Sequence, residues 1–162
     1  MKQEKPREQL FAEFAALQRD MEKNLTAQEQ FIKRFQFLNQ TEEDLLPVIN
    51  LFSCPVALFK KDGVLCSVNR TLMENTDLRE SDIAEGRIRF LDRITNENFA
   101  MLEAAEGVFY GKTALLSRLS HPLELFCKSW SYPARDDYHS TLFFPLPEDE
   151  GYIRYGTVML LK

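Results

Sequence analysis

This sequence has few of the residues with which catalytic and metal sites are usually built. It contains three cysteines, two histidines and one tryptophan. Because Cys54, Cys66 and Cys127 stand far apart and form no CxxC pair, neither a disulfide framework nor a zinc site is indicated. The sequence also lacks a Gly-rich phosphate loop, a GxSxG elbow and an HExxH motif. We therefore expect a protein that is not an enzyme.

Long apolar runs are missing as well. No stretch approaches the roughly 20 apolar residues of a membrane span, and the start of the chain carries no apolar signal segment. Residues 41–162 carry thirteen Lys or Arg against nineteen Asp or Glu, a net charge of −6, and such a surface repels phosphate backbones and anionic lipid. We therefore expect a cytoplasmic protein that binds neither nucleic acid nor membrane directly.

The first forty residues carry an apolar stripe at helical spacing. Its members are Leu10, Phe14, Leu17, Met21, Phe31, Phe35 and Leu38. Asn24 interrupts the stripe and Thr26–Glu29 has the form of a capping box, so one kinked helix and two helices both fit the pattern. The stripe packs either on the chain's own core or on its copy in a second subunit. We expect residues 1–40 to be a dimerisation segment, since the stripe is rich in phenylalanine and lies outside the globular part.

A β-hairpin followed by a helix is predicted from residue 55 onward. Val56–Phe59 and Val64–Val68 consist mainly of strand-forming residues, and Gly63 supplies the positive φ of a tight turn. Asn69 is placed to cap the helix that comes next. A lead-in helix that starts near Thr41 precedes this hairpin.

Short helices are expected in the next thirty residues, and strands return near the carboxyl end. A longer helix, capped by Asn96, would place Phe99, Leu102, Ala105 or Glu106, and Phe109 along one side. An irregular segment, Ser120–Asp137, follows the third strand. The remaining strands are predicted over Lys112–Leu119, His139–Leu146 and Tyr152–Leu161.

This order of elements resembles the PAS family of sensor domains. The residues that carry the resemblance are Asp62-Gly63 with Val68-Asn69, Gly86-Arg87 before Phe90-Leu91-Asp92, and Phe143–Leu146 followed by Gly151 and Gly156–Val158. The resemblance covers residues 45–162. It implies an α+β fold, a PAS-like five-stranded antiparallel sheet with helices on one face, preceded by an N-terminal helical segment. We divide the chain into a helical segment, 1–40, and a PAS-like sensor domain, 41–162.

Two of the strands are apolar on both alternating sets of positions. Val56–Phe59 and Val158–Leu161 show this pattern, whereas a sheet with one wet face alternates apolar with polar residues. Both faces of the sheet are therefore expected to be covered, the second by the N-terminal segment or by a partner. Homodimerisation is our first expectation.

The resemblance implies a signal-transduction sensor or regulatory module. Such a module would bind a small, mainly apolar ligand, mediate homodimerisation, or both, and would act on a downstream signalling protein or effector domain. The candidate ligand-binding residues are Leu72, Phe90, Leu91, Phe99, Leu102 and Phe143. A ligand-free PAS scaffold for dimerisation or protein interaction is the alternative, and a small cone-shaped α+β enzyme is a further one.

The known PAS cofactors find little support in this sequence. Flavin-binding members carry a photoactive cysteine in an Asn-Cys-Arg-Phe-Leu-Gln run, and the nearest match, Ile88–Asp92, has no cysteine. Haem-binding members use a histidine on or near the long helix, whereas His121 lies in the irregular segment and His139 at a strand start. The sequence thus argues against flavin and haem, and leaves the ligand unnamed.

Overall fold

A computed structural model describes residues 7–21, 25–38, 42–133, 137–147 and 151–162. The chain divides into two compact units, with the boundary between Phe52 and Ser53. The lead-in helix, which the sequence analysis grouped with the PAS-like domain, belongs to the first unit. None of the described helices combines the length and the apolar character needed to cross a membrane.

The first unit contains three helices, α1 (Arg7–Met21), α2 (Leu25–Leu38) and α3 (Glu42–Ile49). The apolar stripe therefore forms two helices rather than one kinked helix, and α1 packs against α2. Asn24 and Thr41 lie outside the described residues, as do the side chains of Leu10, Met21, Phe35 and Leu38.

Aromatic rings fill the centre of this helical unit. The Phe14 ring meets the rings of Phe31 and Phe52 edge to face at centroid distances of 6.1 and 5.4 Å, and Phe31 meets Phe52 at 5.3 Å. All three side chains are buried, together with Ile32, Leu45 and Ile49. Phe14 and Phe31, which we expected to meet a second subunit, thus pack on each other within one chain.

The second unit is built on a five-stranded antiparallel sheet with the order β2-β1-β5-β4-β3. Its strands are β1 (Val56–Phe59), β2 (Leu65–Val68), β3 (Ala114–Leu116), β4 (Ser140–Pro147) and β5 (Ile153–Leu161). The predicted fold class is confirmed. The third strand is shorter than predicted, because Arg118 already has a positive φ of 58° and leaves the extended conformation.

Helices lie between the second and third strands, as predicted. They are α4 (Arg70–Glu74), α5 (Glu80–Ala84) and α6 (Phe99–Val108), with 3-10 helices at Phe90–Arg93 and Asn96–Asn98. A third 3-10 helix, Pro122–Phe126, follows β3. The turn of the first hairpin closes where Gly63, at φ 87°, donates its amide to the Lys60 carbonyl at 2.8 Å.

The core of this unit lies between the helices and one face of the sheet. Ala57 and Phe59 of β1 and Val158 and Leu160 of β5 belong to it, as alternate positions of a strand should. Residues of the opposite face are also apolar and buried, among them Val56, Leu58, Leu142, Phe144 and Met159. Burial on both faces was predicted from the strands that are apolar throughout.

Candidate functional site

Aromatic rings occupy the interior between the sheet and the helices. Phe59, which is 1% exposed, meets the rings of Phe90, Phe109 and Phe143 edge to face at centroid distances of 5.1, 5.8 and 6.1 Å. On its other side Phe90 stacks on Phe126 at 5.1 Å, with 21° between the ring planes. Rings from two strands, the end of α6 and two 3-10 helices therefore meet in this interior.

A glycine on the neighbouring strand makes room for the central ring. Phe59 lies directly opposite Gly156 in the register of β1 and β5. A Cβ atom at position 156 would stand only 2.4 Å from Cζ of Phe59, so the tip of the ring lies against the glycine backbone. This is a close approach that a side chain would block.

Four of the six predicted ligand-binding residues lie in or against this interior. They are Leu72, Phe90 and Phe143, which are fully buried, and Leu91, which is half-buried and packs on the core. The structure brings these four together. It does not bring Phe99 or Leu102 into the cluster, since Phe99 is 51% exposed and Leu102 is half-buried outside it.

The inward face of α6 differs in part from the face that we predicted. The helix buries Met101, Ala104, Ala105 and Val108, of which only Ala105 belongs to the predicted set, and Phe109 of that set packs on the core just after the helix. Phe99 is the first residue of α6 and lies directly after the 3-10 helix Asn96–Asn98, so the cap predicted at Asn96 is wrong, and Asn98 stands at the N-cap position.

Asn69 is a buried polar residue that joins three segments at the edge of the sheet. Its Oδ1 accepts hydrogen bonds from the amides of Val56 and Leu72, both at 3.0 Å, and its Nδ2 donates to the Cys54 carbonyl at 2.8 Å. The predicted helix cap is confirmed. The same side chain also ties the start of β1 and the residue two positions before it to α4.

Acidic side chains hold the segment that follows the 3-10 helix Pro122–Phe126. The Asp77 carboxylate accepts hydrogen bonds from the backbone amides of Lys128 and Ser129 at 2.5 and 2.8 Å. The ammonium group of Lys128 lies 3.0 Å from Oδ1 of Asp82, which is 1% exposed. The guanidinium of Arg93 donates to the Lys128 carbonyl.

The electrostatic state of Asp82 follows from these contacts. The hydrogen bond from Lys128 is the largest influence and the backbone amide of Arg79, 3.0 Å away, is the next, and both hold the pKa of Asp82 below its usual range. Burial acts in the opposite direction and is outweighed. Asp82 is therefore ionised and paired at neutral pH.

Cys127, directly before Lys128, is a buried thiol. Burial raises its pKa from 9.0 to about 11, and the carboxylate of Asp77 adds to the shift. The thiol is thus protonated at neutral pH, and its chemical reactivity is low. Among the described residues no group of three or more His, Cys, Asp or Glu side chains converges as a metal site would require.

One polar atom of the interior face has no hydrogen-bond partner among the described residues. Thr141 is fully buried, and its Oγ1 is unpaired. It stands opposite Leu160 of the interior cluster in the register of β4 and β5. The hydroxyl of Thr157 is in the same condition, but it stands opposite Phe144 on the other face of the sheet. A buried hydroxyl of this kind is a place where a ligand or a water molecule could donate or accept a hydrogen bond.

Sequence reasoning missed three rings of the interior as site residues, those of Phe59, Phe109 and Phe126. One signal could have pointed to the first of them. Gly156 lies in the middle of an otherwise apolar strand, where glycine is unfavourable unless another group needs the space. Nothing in the sequence alone indicates which ring takes that space.

No family model matches the sequence, and no curated protein is detectably similar to it. Solved structures are similar in fold. A LOV protein from Rhodobacter sphaeroides matches with a TM-score of 0.52 and 16% identity, over 79% of this chain and 66% of that one, just under two thirds. A sensory box sensor histidine kinase from Vibrio cholerae matches with a TM-score of 0.47 and 10% identity, over 82% of this chain and 95% of that one. The PAS domain of BvgS from Bordetella pertussis matches with a TM-score of 0.47 and 12% identity, over 74% of this chain and 84% of that one.

At such low identity a structural match speaks to the fold alone. The first match, with a TM-score of 0.52, agrees with the fold class predicted from the sequence. The second unit of this chain has the PAS fold.

Proposed function

We propose that this chain is a regulatory module of signal transduction that works through contacts with other proteins. Its partners are a second copy of the chain and a downstream signalling protein or effector domain. The observation that carries the proposal is the interior filled by Phe59 and the rings around it. A module that reads a small molecule needs space for it, and the aromatic side chains described between the sheet and the helices pack on one another there, which supports a module without a ligand.

Several properties of the chain support this assignment. The PAS fold is used by signalling modules, which is support by analogy of fold. The net charge of −6 over residues 41–162 disfavours direct contact with nucleic acid or anionic lipid. The three cysteines are free thiols, which favours a reducing, cytoplasmic setting.

The helical unit offers an apolar contact for the second copy. Phe11 lies on α1 and is 42% exposed, although large apolar side chains are usually buried. We expect dimers in which this side chain is covered. Replacing Phe11 by aspartate should weaken the dimer, whereas the same replacement at Ala12, an exposed neighbour on α1, should leave it intact.

The test combines size and mass of the purified full chain. Sedimentation equilibrium should show a dimer that Phe11→Asp shifts toward monomer and Ala12→Asp does not. Native mass spectrometry should show the polypeptide mass alone. A monomer at every concentration, with no protein partner recovered by cross-linking in cells, would refute the proposal.

A ligand sensor is the second candidate, and the unpaired hydroxyl of Thr141 favours it. A small, mainly apolar molecule with one hydrogen-bonding group would contact this hydroxyl and the predicted residues Leu72, Phe90 and Phe143. It would have to displace interior side chains to enter. A small molecule that copurifies in stoichiometric amount, found by native mass spectrometry and by solvent extraction, would establish this candidate in place of the first.

A further inference from the structure

One segment of the interior is attached in a different way from the others. The 3-10 helix Pro122–Phe126 inserts Leu123, Leu125 and Phe126 into the core, and Phe126 stacks on Phe90. The ring of Phe90 comes from the 3-10 helix Phe90–Arg93, whose start is tied to the first hairpin by the hydrogen bond from the Phe90 amide to the Gly63 carbonyl at 3.2 Å. The other interior rings come from β1, from β4 and from the residue directly after α6. The 3-10 helix Pro122–Phe126 is five residues long and belongs to none of the paired strands of the sheet.

The amino-terminal side of this segment has the geometry of a hinge. Arg118 and His121 adopt positive φ values of 58° and 50°, which non-glycine residues rarely adopt. Between them the amide of Leu119 donates to the His139 carbonyl at 2.8 Å. Two uncommon backbone conformations within four residues are relieved if the chain beyond Leu119 rotates away.

Side chains of residues 77–93 hold the carboxyl-terminal side of the segment. All of these side chains contact Lys128. Its amide donates to the Asp77 carboxylate, its ammonium group pairs with the Asp82 carboxylate, and its carbonyl accepts from the Arg93 guanidinium. The Arg93 guanidinium also lies 4.4 Å from the ring centroid of Trp130, two residues further on. We call these contacts of Lys128 the latch.

The described main-chain hydrogen bonds between Leu119 and Lys128 run inside the segment. Glu124 donates its amide to the His121 carbonyl at 3.2 Å, and Cys127 donates to the Glu124 carbonyl at 3.2 Å. The segment can thus keep its own shape while it separates from the sheet. Apolar burial and the latch are what hold it in place.

We propose that residues 119–128 form a hinged plug, in which residues 122–128 swing out of the interior as a unit about a hinge at Arg118–His121, with the Lys128 latch holding the closed state. Signalling by a protein module requires two states of different affinity for a partner. The closed plug covers the Phe90 ring, and the open plug uncovers it. This inference goes beyond the proposed function, because the plug opens or stays closed whatever the partner is.

The test replaces Lys128 by methionine, which keeps the length of the side chain and removes the ammonium group. Lys112, an exposed residue outside the latch, receives the same replacement as a matched control. Two readouts report on the plug in the full chain: amide hydrogen exchange of residues 119–128, and alkylation of the Cys127 thiol by iodoacetamide, mapped by mass spectrometry.

We expect Lys128→Met to accelerate both readouts about tenfold at the plug, since a charge-assisted hydrogen bond to a buried carboxylate is lost. Exchange in β4 and β5 should stay at the wild-type rate, and Lys112→Met should change neither readout. Asp77→Asn, which weakens the latch at the backbone of Lys128 and Ser129, should give the same local pattern.

Two results would overturn the proposal. One is unchanged exchange and alkylation at the plug in both latch variants. The other is acceleration of equal size in the plug and in β4 and β5, which would mean that the latch stabilises the whole unit. If Lys128→Met does not fold, Asp77→Asn and wild-type exchange at low urea decide the question, since a plug that opens alone exchanges before the sheet does.

Discussion

Replacing Gly156 by alanine tests the packing at the centre of the aromatic interior. The new methyl group would stand 2.4 Å from Cζ, 2.7 Å from Cε2 and 2.9 Å from Cε1 of Phe59. Neighbouring rings restrict the movement of the Phe59 ring, because Phe90 and Phe143 lie at centroid distances of 5.1 and 6.1 Å. Overpacking of a core costs about 1–3 kcal/mol, and alanine recovers about 0.5–1 kcal/mol of the entropy that glycine loses in a strand. We expect the free energy of unfolding to fall by about 1–2 kcal/mol.

Urea denaturation of the full chain, followed by circular dichroism, measures this change. Gly107→Ala is the matched control, since a Cβ there would lie 3.6 Å from the Lys112 side chain, an ordinary contact. In helix α6 this replacement should stabilise the protein by about 0.5–1 kcal/mol. Gly156→Ala should therefore lower the free energy of unfolding, and Gly107→Ala should raise it.

A second replacement shows whether the Phe59 ring is the cause. Phe59→Leu shortens the side chain that the methyl group at position 156 would strike. The double variant should lose clearly less stability than the sum of the two single variants. Additive losses, or a Gly156→Ala protein that is as stable as the wild type, would show that Phe59 does not lie over Gly156.

Two further predictions concern buried polar groups. Asn69→Ala should lower the free energy of unfolding by about 2–3 kcal/mol, because the amides of Val56 and Leu72 and the carbonyl of Cys54 lose their partner; a loss below 0.5 kcal/mol on urea denaturation would contradict this. The pKa of Cys127 is raised from 9.0 to about 11, so its thiol should be alkylated at pH 8 about 100-fold more slowly than an ordinary thiol. Equal alkylation rates in the folded and the urea-unfolded protein would contradict this. The contribution of Cys127 to stability should be complete below pH 9 and disappear as the pH rises toward 11.

Local signals made the first hairpin and the helix after it predictable. The turn at Gly63 and the cap at Asn69 depend on residues within a few positions, and both appear in the structure as expected. The buried face predicted for α6 was wrong in part. Because Phe99 and Met101 are both apolar, periodicity allows more than one inward face, and packing against the sheet decides which face is buried.

The apolar stripe of the first forty residues shows a similar limit. Its spacing predicts helices with an apolar face, and α1 and α2 are present. Periodicity does not say what the face meets. In the structure Phe14 meets Phe31 and Phe52 of the same chain, which depends on the path of the chain between the helices.

The sequence by itself determined the order of strands and helices and the burial of both sheet faces, because each depends on turn chemistry and on short-range periodicity, and the resemblance of that order to the PAS family implied the fold. Only the tertiary structure decided which rings meet in the interior. Phe59 reaches Gly156 through the register of β1 and β5, and Phe126 reaches Phe90 through a 3-10 helix held by Lys128. Such contacts join residues far apart in the chain, and the fit between their shapes follows from the folded backbone.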